Sequence, residues 1–239
     1  MNNNYYKTLD ENFNEALNLA KKALQHDEMI EFLRNGNIPQ KQIAALNLDT
    51  LTSAGDTEIL ISNLTGQDGK IREAVSAKIK ELLENKTAQK YFLDLDKEFL
   101  SEKFIDALTD INGNICRNII DSLYFIKNYD AFVEIFIKKL ISLIYNLLDK
   151  VKDFDIQDGK YKINKEVFKL YWCLEAVYLY FDKIPIEKLT EILSITKQIE
   201  DYTIREKTAK ILSRSINDPV LIKIRNELKN DKNYYVRRF

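Results

Sequence analysis

A short motif recurs four times in this chain and constrains its fold more than any other feature. In each copy a capping or turn residue stands four positions before an arginine, and an apolar residue directly precedes that arginine. Asp or Asn at a helix start can accept a hydrogen bond from an unpaired backbone N–H, while the apolar residue enters the core. The motif therefore predicts four equivalent helix starts. The copies are Asp68-Gly69-Lys70-Ile71-Arg72, Gly113-Asn114-Ile115-Cys116-Arg117, Asp201-Tyr202-Thr203-Ile204-Arg205 and Asn233-Tyr234-Tyr235-Val236-Arg237.

Two further segments fit this pattern loosely and extend it to six helix starts. They contain Ile43 and Ile163 and lack the arginine. When the six apolar residues are taken as equivalent, successive starts lie 28, 45, 47, 41 and 32 residues apart. This spacing is irregular but centred near the period of roughly 40 to 47 residues of paired-helix repeats, and it predicts about six degenerate helix pairs. The six residues are Ile43, Ile71, Cys116, Ile163, Ile204 and Val236.

The composition favours helices throughout the chain. Six Gly and three Pro in 239 residues leave few of the turns that hairpins and sandwiches need, and an apolar share of 45% is enough for a buried core. An apolar stripe that includes Leu9, Phe13 and Leu17 predicts an amphipathic capping helix within residues 1–26. The first helices of the pairs are predicted near residues 57–65, 100–110, 131–152, 186–199 and 219–229.

The recurring turn resembles the signature between the two helices of HEAT repeats. The resemblance lies in the Asp-x-x-Ile-Arg pattern and in the small residues that follow it, Ala74, Ala77 and Ala209, which let paired helices approach. It implies an all-α fold, a right-handed α-α superhelix of the HEAT-like or armadillo type. This array would cover residues 27–239 and form a single continuous domain with residues 1–26. Because HEAT proteins serve many unrelated functions, the resemblance implies no catalytic residue.

Residues that could form a catalytic or metal site are scarce. His26 is the only histidine, and the sequence contains no phosphate-binding loop, dinucleotide fingerprint or Cys-x-x-Cys motif. Asp153, Asp155 and Asp158 belong to a polar segment that we expect to be a mobile insertion, but their spacing does not match a calcium loop. We therefore expect no catalytic residue, no metal and no cofactor, and we do not expect an enzyme.

Charge and hydrophobicity predict a cytoplasmic protein. The first six residues lack the basic segment and apolar run of a secretory signal, and no apolar stretch is long enough to span a membrane. Cys116 and Cys173 are too far apart to suggest a disulfide framework, so we expect two reduced, buried thiols. With 36 Lys and Arg against 37 Asp and Glu, the net charge gives no overall preference for nucleic acid or anionic membranes.

The arginines of the motif have two interpretations. Stacked helix pairs align equivalent positions, so Arg72, Arg117 and Arg205 could form a row of ligand contacts along an inner surface. Alternatively, each arginine could bridge to the turn of a neighbouring pair, where charge-assisted hydrogen bonds would fix the register of the stack. The bridging role is favoured, and the ligand contact is the open alternative.

The helix predicted from residue 163 to residue 181 is apolar on two sides. Such a helix either is sandwiched between neighbours or lines a groove in which Trp and Tyr dominate binding. Core packing is the favoured interpretation of its aromatic stripe, and a recognition patch is the alternative. The aliphatic stripe is Val167, Leu170, Leu174, Val177 and Phe181, and the aromatic stripe is Phe168, Tyr171, Trp172, Glu175 and Tyr178.

Two functions from different classes fit this pattern. The favoured one is a non-catalytic scaffold that binds a protein or peptide on its concave face. The alternative is a DNA-binding repair protein that resembles the HEAT-like alkylpurine DNA glycosylases, with its aromatic and acidic residues flanked by Lys165 and Lys169. A HEAT-like bilin lyase is ranked last, because no Cys or His arrangement supports it. The residues expected to bind a partner are Arg72, Arg117, Lys165, Tyr171, Trp172, Glu175 and Arg205.

The last motif copy predicts an unusual C-terminal edge. It begins a helix at Asn233 that has room for about one turn. A truncated pair leaves an apolar edge open, whereas terminal repeats normally carry a polar cap. Either Tyr234, Tyr235 and Phe239 cover the last pair themselves, or this edge is an oligomer interface.

Overall fold

Helices account for all regular structure in the part of the chain that can be described. The computed structural model describes the backbone of residues 2–151, 160–214 and 216–239 and the side chains of residues 11–151, 165–214 and 216–239. Within these ranges no strand occurs, so the predicted all-α fold is confirmed. The helices are α1 (Asn2–Ala20), α2 (His26–Asn35), α3 (Ile38–Asn47), α4 (Ala54–Ser62), α5 (Gly69–Glu84), α6 (Lys86–Leu93), α7 (Lys97–Leu108), α8 (Gly113–Ile126), α9 (Asp130–Val151), α10 (Lys160–Leu179), a 3₁₀-helix (Phe181–Lys183), α11 (Ile186–Thr196), α12 (Tyr202–Leu212), α13 (Pro219–Leu228) and α14 (Tyr234–Arg237).

Capping side chains determine where several of these helices begin. Asn37 accepts a hydrogen bond from the Gln40 N–H at 3.0 Å, and the Gln40 side chain accepts one from the Asn37 N–H. Ser53 and Asp56 form the same reciprocal box before α4. These boxes satisfy N–H groups that have no partner within the helix. Pro39 lies in the first turn of α3, where its missing N–H leaves no helical bond unmade.

The predicted first helices correspond to α4, α7, α9, α11 and α13, with bounds that differ by a few residues. Helix α6 was not predicted. Asn85 ends α5 and accepts a hydrogen bond from the Thr87 N–H at 2.8 Å, so one residue both stops a helix and caps the next. Because neither Gly nor Pro marks this junction, residues 69–93 read as one continuous helix in the sequence.

The first of two compact units comprises Met1–Ala107 and Asn112–Asn128. Helices α3, α5 and α8 pack side by side in it, α1 packs on α3, and α4 packs against both α2 and α6. Leu33 and Phe92 are among its fully buried side chains. Ala74 is buried as predicted, whereas Ala77 is exposed, so the prediction that Ala77 lies between paired helices is wrong.

The second unit comprises Leu108–Ile111 and Tyr129–Phe239. Helices α10, α12 and α14 pack side by side in it, and α11 packs against both α9 and α13. The Phe136 ring lies 5.6 Å from the rings of both Phe132 and Tyr180, and all three side chains are buried. Burial raises the pKa of Tyr180 well above its ordinary value, so its hydroxyl stays neutral in this core.

The two stripes of α10 differ in burial. Val167, Leu170, Leu174 and Val177 are buried, as predicted for the aliphatic stripe, whereas its fifth member, Phe181, is half-buried and lies in the 3₁₀-helix after α10. All five members of the aromatic stripe are half-buried, so the core interpretation is correct only in part for them.

Helix α1 departs from its predicted orientation. Phe13 and Leu17 are exposed and Leu19 is buried, so the predicted apolar stripe is wrong for these two residues, while the Leu9 side chain lies outside the described residues. Helix α1 packs against α3, and in its described part Leu19 is the apolar side chain that this packing buries. The polar segment with Asp153, Asp155 and Asp158 lies outside the described residues. The single continuous array, with its right-handed superhelical path, stays a prediction.

None of the described helices combines the length and the apolar composition needed to cross a membrane.

Candidate functional site

Three of the motif arginines form hydrogen bonds to the backbone just before their own helix. Arg72, Arg205 and Arg237 each stand four residues after the capping residue, Asp68, Asp201 and Asn233 respectively, whose side chain accepts hydrogen bonds from the first backbone N–H groups of the helix. Each arginine also donates to the carbonyl oxygen six residues before it, at 2.7, 2.8 and 2.6 Å. The motif therefore has a local structural role that the sequence did not predict. The accepting carbonyls belong to Gly66, Ile199 and Asp231.

The copy at α8 is shifted by one residue. Its cap is Asn112, which accepts a hydrogen bond from the Asn114 N–H at 2.9 Å, and not Gly113 as predicted. Counting from this cap, the buried Cys116 takes the place of the bracing arginine and Arg117 lies one position further on. Arg117 is exposed and has no hydrogen bond or ion pair to any described residue. It is therefore the one predicted arginine whose guanidinium is open to a partner.

Arg72 and Arg117 should respond differently to replacement by alanine. Arg72→Ala removes the bond to Gly66, and because Arg72 is half-buried we expect a loss of about 1 kcal/mol in the free energy of unfolding. Arg117→Ala should change that free energy by less than about 0.5 kcal/mol. Urea unfolding of the two variants beside the parent protein measures both values. Equal losses in the two variants would contradict the difference in their roles.

Arg205 is held more firmly than the other motif arginines. Its Nε and one Nη atom donate to the two carboxylate oxygens of Asp231 at 2.6 and 3.2 Å, and its other Nη atom donates to the carbonyls of Ile199 and Glu200. The side chain is 7% exposed and that of Asp231 is 10% exposed. Arg205 is therefore buried and uses four of its five N–H donors within the protein, so we leave it out of the binding surface proposed below.

Four aromatic side chains of α10 form a partly exposed surface. The Tyr171 and Phe168 rings meet the Trp172 ring edge to face, with centroids 5.4 and 6.2 Å apart. Tyr178 lies two turns after Tyr171 on the same helix. The Trp172 indole nitrogen is buried and donates no hydrogen bond to any described residue, whereas the rest of the side chain is partly exposed.

Two lysines of α12 lie across this aromatic row and share one carboxylate. Lys207 and Lys210 both donate to Glu175, and the Lys210 Nζ lies 2.9 Å from one of its oxygens. The same ammonium groups lie over aromatic rings, Lys207 at 4.3 Å from the Tyr171 centroid and Lys210 at 4.7 Å from that of Tyr178. A cation over an aromatic face is attracted by the negative charge of the ring.

Electrostatics favours the charged forms of Glu175 and Lys207. Burial alone would raise the pKa of Glu175, but the hydrogen bonds from Lys207 and Lys210 outweigh it and hold that pKa below its ordinary value. Burial would lower the pKa of Lys207, but the bonds to Glu175 and Tyr171 raise it above its ordinary value. The cluster is thus a stable structural network, since neither partner is poised to exchange a proton near neutral pH.

Arg214 lies at the C-terminal end of the aromatic row. It donates to the Tyr178 carbonyl at 2.9 Å and to the Asp182 carboxylate at 2.8 Å, and it lies over the rings of Tyr178 and Phe181. The side chains of Lys210 and Arg214 remain 29% and 33% exposed. We name the whole set the α10–α12 surface, and it consists of Phe168, Tyr171, Trp172, Glu175, Tyr178, Lys207, Lys210 and Arg214.

Only some of the predicted binding residues belong to the α10–α12 surface. Tyr171, Trp172 and Glu175 share the α10–α12 surface, and Lys165 lies exposed one turn before Phe168 on the same helix. Arg72 and Arg117 belong to the first unit. Two lysines of α12 and Arg214, which lies two residues after α12, were not predicted, because the sequence shows their spacing of three and four residues but not their pairing with α10. These missed residues are Lys207, Lys210 and Arg214.

His26 contacts residues at the start of α4 and has no arrangement typical of a catalytic histidine. Its Nε2 atom lies 3.1 Å from the Asp56 carboxylate and 3.4 Å from the Thr52 hydroxyl. Both contacts fall on the same ring nitrogen, whereas in a catalytic relay the acid and the nucleophile contact opposite nitrogens. Among the described residues no three His, Cys, Asp or Glu side chains come together as metal ligands would.

Comparisons with known proteins assign no family to this chain. No family model matches it, and no curated protein matches it. Two solved structures, both crystal structures of engineered proteins, are similar to it. One is 19% identical with a TM-score of 0.48, and the match covers 90% of this chain and 95% of the engineered chain. The other is 13% identical with a TM-score of 0.46 and covers 89% of this chain and 92% of its own. The HEAT-like resemblance stays a prediction.

Proposed function

We propose that this protein is a non-catalytic scaffold that binds a protein or peptide through the α10–α12 surface. The observation that supports this most is the row of half-buried aromatic rings that alternates with charged side chains on two adjacent helices. Trp, Tyr and Arg dominate binding energy at protein interfaces, because they bury large areas and also form polar contacts. We also propose a cytoplasmic location, because the chain has only two cysteines and both are buried. Imaging of a fluorescent fusion tests that location.

The charges of the surface favour a peptide as the ligand. Glu175 neutralises much of the charge of Lys207 and Lys210, and Asp182 pairs with Arg214. The Arg214 guanidinium has five N–H groups, and the two hydrogen bonds described leave donors for a backbone carbonyl or a single carboxylate of a partner. A peptide that offers apolar side chains and few charges fits this balance.

The DNA-repair alternative receives no support from this surface. Affinity for DNA comes mainly from cations that are free to neutralise phosphates. Here the lysines next to the aromatic rings are already paired with a carboxylate, and one of them is buried. We therefore do not carry this alternative further as the function of the α10–α12 surface.

The proposal can be tested with Trp172 as the reporter, because it is the only tryptophan in the chain. Peptides are first selected from a displayed random library on the immobilised protein. Titration of a selected peptide should then change the fluorescence of Trp172. Tyr171→Ala should weaken binding roughly 30-fold, the effect of losing a typical anchor residue, whereas Tyr171→Phe keeps the ring and should bind as the parent does.

Tyr124→Ala is the matched control, because Tyr124 is an exposed tyrosine of the first unit. It should leave peptide affinity unchanged. Thermal unfolding of each variant checks that the fold is intact. If the peptide binds without changing Trp172 fluorescence, and Tyr171→Ala binds as the parent does, the α10–α12 surface is not the binding site.

A further inference from the structure

The last 38 residues of the chain are strongly basic. Residues 202–239 contain ten Lys and Arg against four Asp and Glu, whereas the whole chain contains 36 against 37. The overall balance therefore hides a surplus of six positive charges in α12, α13, α14 and their turns. Such an asymmetry indicates a local anion-binding surface even in a chain without net charge.

Part of this charge is neutralised and part is not. Arg205 pairs with Asp231, Lys207 and Lys210 pair with Glu175, and Arg238 pairs with Glu206. By contrast, Lys229, Lys232 and Arg237 are exposed and form no ion pair with any described residue. Arg237 donates only to a backbone carbonyl, that of Asp231. Lys229 and Lys232 lie in the turn between α13 and α14, and the Arg237 guanidinium reaches this turn through its bond to the Asp231 carbonyl, so the three charges lie in the same region of the second unit.

Exposed tyrosine rings accompany these free cations. Tyr234 is 66% exposed and Tyr235 is 51% exposed. The Tyr235 ring lies 5.7 Å from that of Tyr234 and 6.2 Å from that of Tyr202, which is also exposed. Large aromatic side chains on a protein surface usually mark a binding site when they are clustered. We name this set the C-terminal patch, and it consists of Tyr202, Lys229, Lys232, Tyr234, Tyr235 and Arg237.

We propose that the C-terminal patch binds single-stranded nucleic acid. Exposed rings beside unpaired cations fit a ligand that carries planar groups and regular negative charge together. Bases stack on aromatic side chains while Lys and Arg neutralise the phosphates. An acidic peptide supplies only the charge. A duplex keeps its bases stacked on one another and cannot offer them to the tyrosines.

The probe is a fluorescein-labelled oligothymidylate of 20 nucleotides, and the readout is its fluorescence anisotropy. Three phosphate contacts on a single strand give a slope of about −2 for the logarithm of the association constant against the logarithm of salt concentration. Affinity should therefore fall roughly 20-fold between 50 and 200 mM NaCl. In Lys229→Gln/Lys232→Gln the slope should shrink to about −0.7. In Tyr234→Ala/Tyr235→Ala affinity should fall at least about tenfold with the slope unchanged.

The double variant Lys86→Gln/Lys138→Gln is the matched control. It removes two exposed lysines that lie elsewhere and gives the same net charge. Its affinity and slope should stay those of the parent. Tyr171→Ala should also bind the oligonucleotide normally, so this test is independent of the one for the α10–α12 surface.

Four results would each overturn the proposal. The first is no binding at 50 mM NaCl. The second is equal affinity for a duplex of the same length. The third is displacement of the oligonucleotide by polyglutamate at the same charge concentration, together with an unchanged oligonucleotide affinity of Tyr234→Ala/Tyr235→Ala. The fourth is a dimer in concentration-dependent light scattering that Tyr234→Ala/Tyr235→Ala dissociates, since the patch would then be the oligomer interface.

Discussion

Replacement of Asp231 by alanine should lower the free energy of unfolding of the second unit by about 3–5 kcal/mol. The variant leaves the Arg205 guanidinium buried without its carboxylate, although the bonds to the Ile199 and Glu200 carbonyls remain. A buried charge that has lost its partner is far more costly than a pair that was never formed, because nothing then offsets its desolvation. Guanidinium chloride unfolding followed by circular dichroism measures the loss.

The double variant Arg205→Met/Asp231→Leu is the control for this first prediction. It removes both charges, so it should recover most of the stability that Asp231→Ala loses. If the double variant is as unstable as the single one, the loss comes from packing or from the hydrogen bond that Asp231 accepts from the Asn233 N–H, and not from the unpaired charge.

Acid should narrow the difference between the parent protein and Asp231→Ala. The hydrogen bond from Arg205 lowers the pKa of Asp231 below its ordinary value of 3.8, although burial opposes it. A carboxyl whose pKa is depressed on folding contributes stability that is complete above its unfolded pKa and is lost as the pH falls through its folded pKa. The gap should thus be full at pH 7 and shrink below pH 3.8. Unfolding curves at pH 7 and at pH values below 3.8 measure it.

Replacement of Glu175 by alanine should have the second largest effect, about 3 kcal/mol. Lys207 is buried and relies on Glu175 for its negative partner, while Lys210 is more exposed and can turn toward water. The Tyr171 ring under Lys207 remains, but a cation–π contact supplies only part of what the carboxylate gave. Urea unfolding followed by Trp172 fluorescence reports this loss next to the site itself.

A second variant separates charge from packing at this position. Glu175→Ala/Lys207→Met replaces the buried ammonium with an apolar side chain of similar length, so it should be clearly more stable than Glu175→Ala alone. A loss below about 0.5 kcal/mol for Glu175→Ala would mean that water already reaches Lys207. The buried pair inferred for this surface would then be wrong.

The helix starts were predictable because their cause is local. Asp68, Asp201 and Asn233 cap helices through bonds to N–H groups only two or three residues away, so the sequence carries the whole interaction. The shifted register at α8 was not predictable in the same way. Gly113 and Asn112 are both acceptable at a helix start, so the local sequence does not decide between them. Asn112 also donates to Glu73 at 3.0 Å, a contact across 39 positions.

Only the α10 residues of the candidate site were predictable from the sequence. The spacing of Tyr171, Trp172 and Glu175 within α10 identified an aromatic face, and the structure places these residues on a partly exposed surface. Their partners lie on α12, more than 30 residues later, and nothing local in the sequence connects Glu175 with Lys207. The basic C-terminal segment could have been predicted by counting charges along the sequence, but the total charge of the chain, which is nearly balanced, does not reveal it.

The bond between Arg205 and Asp231 also governs how the end of the second unit comes apart. Helix α14 spans only Tyr234–Arg237, and a segment of four residues cannot remain helical by itself. It is stabilised by packing against α12, through the buried Val236 and through the turn in which Arg205 binds Asp231. We therefore expect the terminal turn to be lost as one unit and not residue by residue, because the Arg205–Asp231 pair, the buried Val236 and the Arg238–Glu206 pair all hold it against α12.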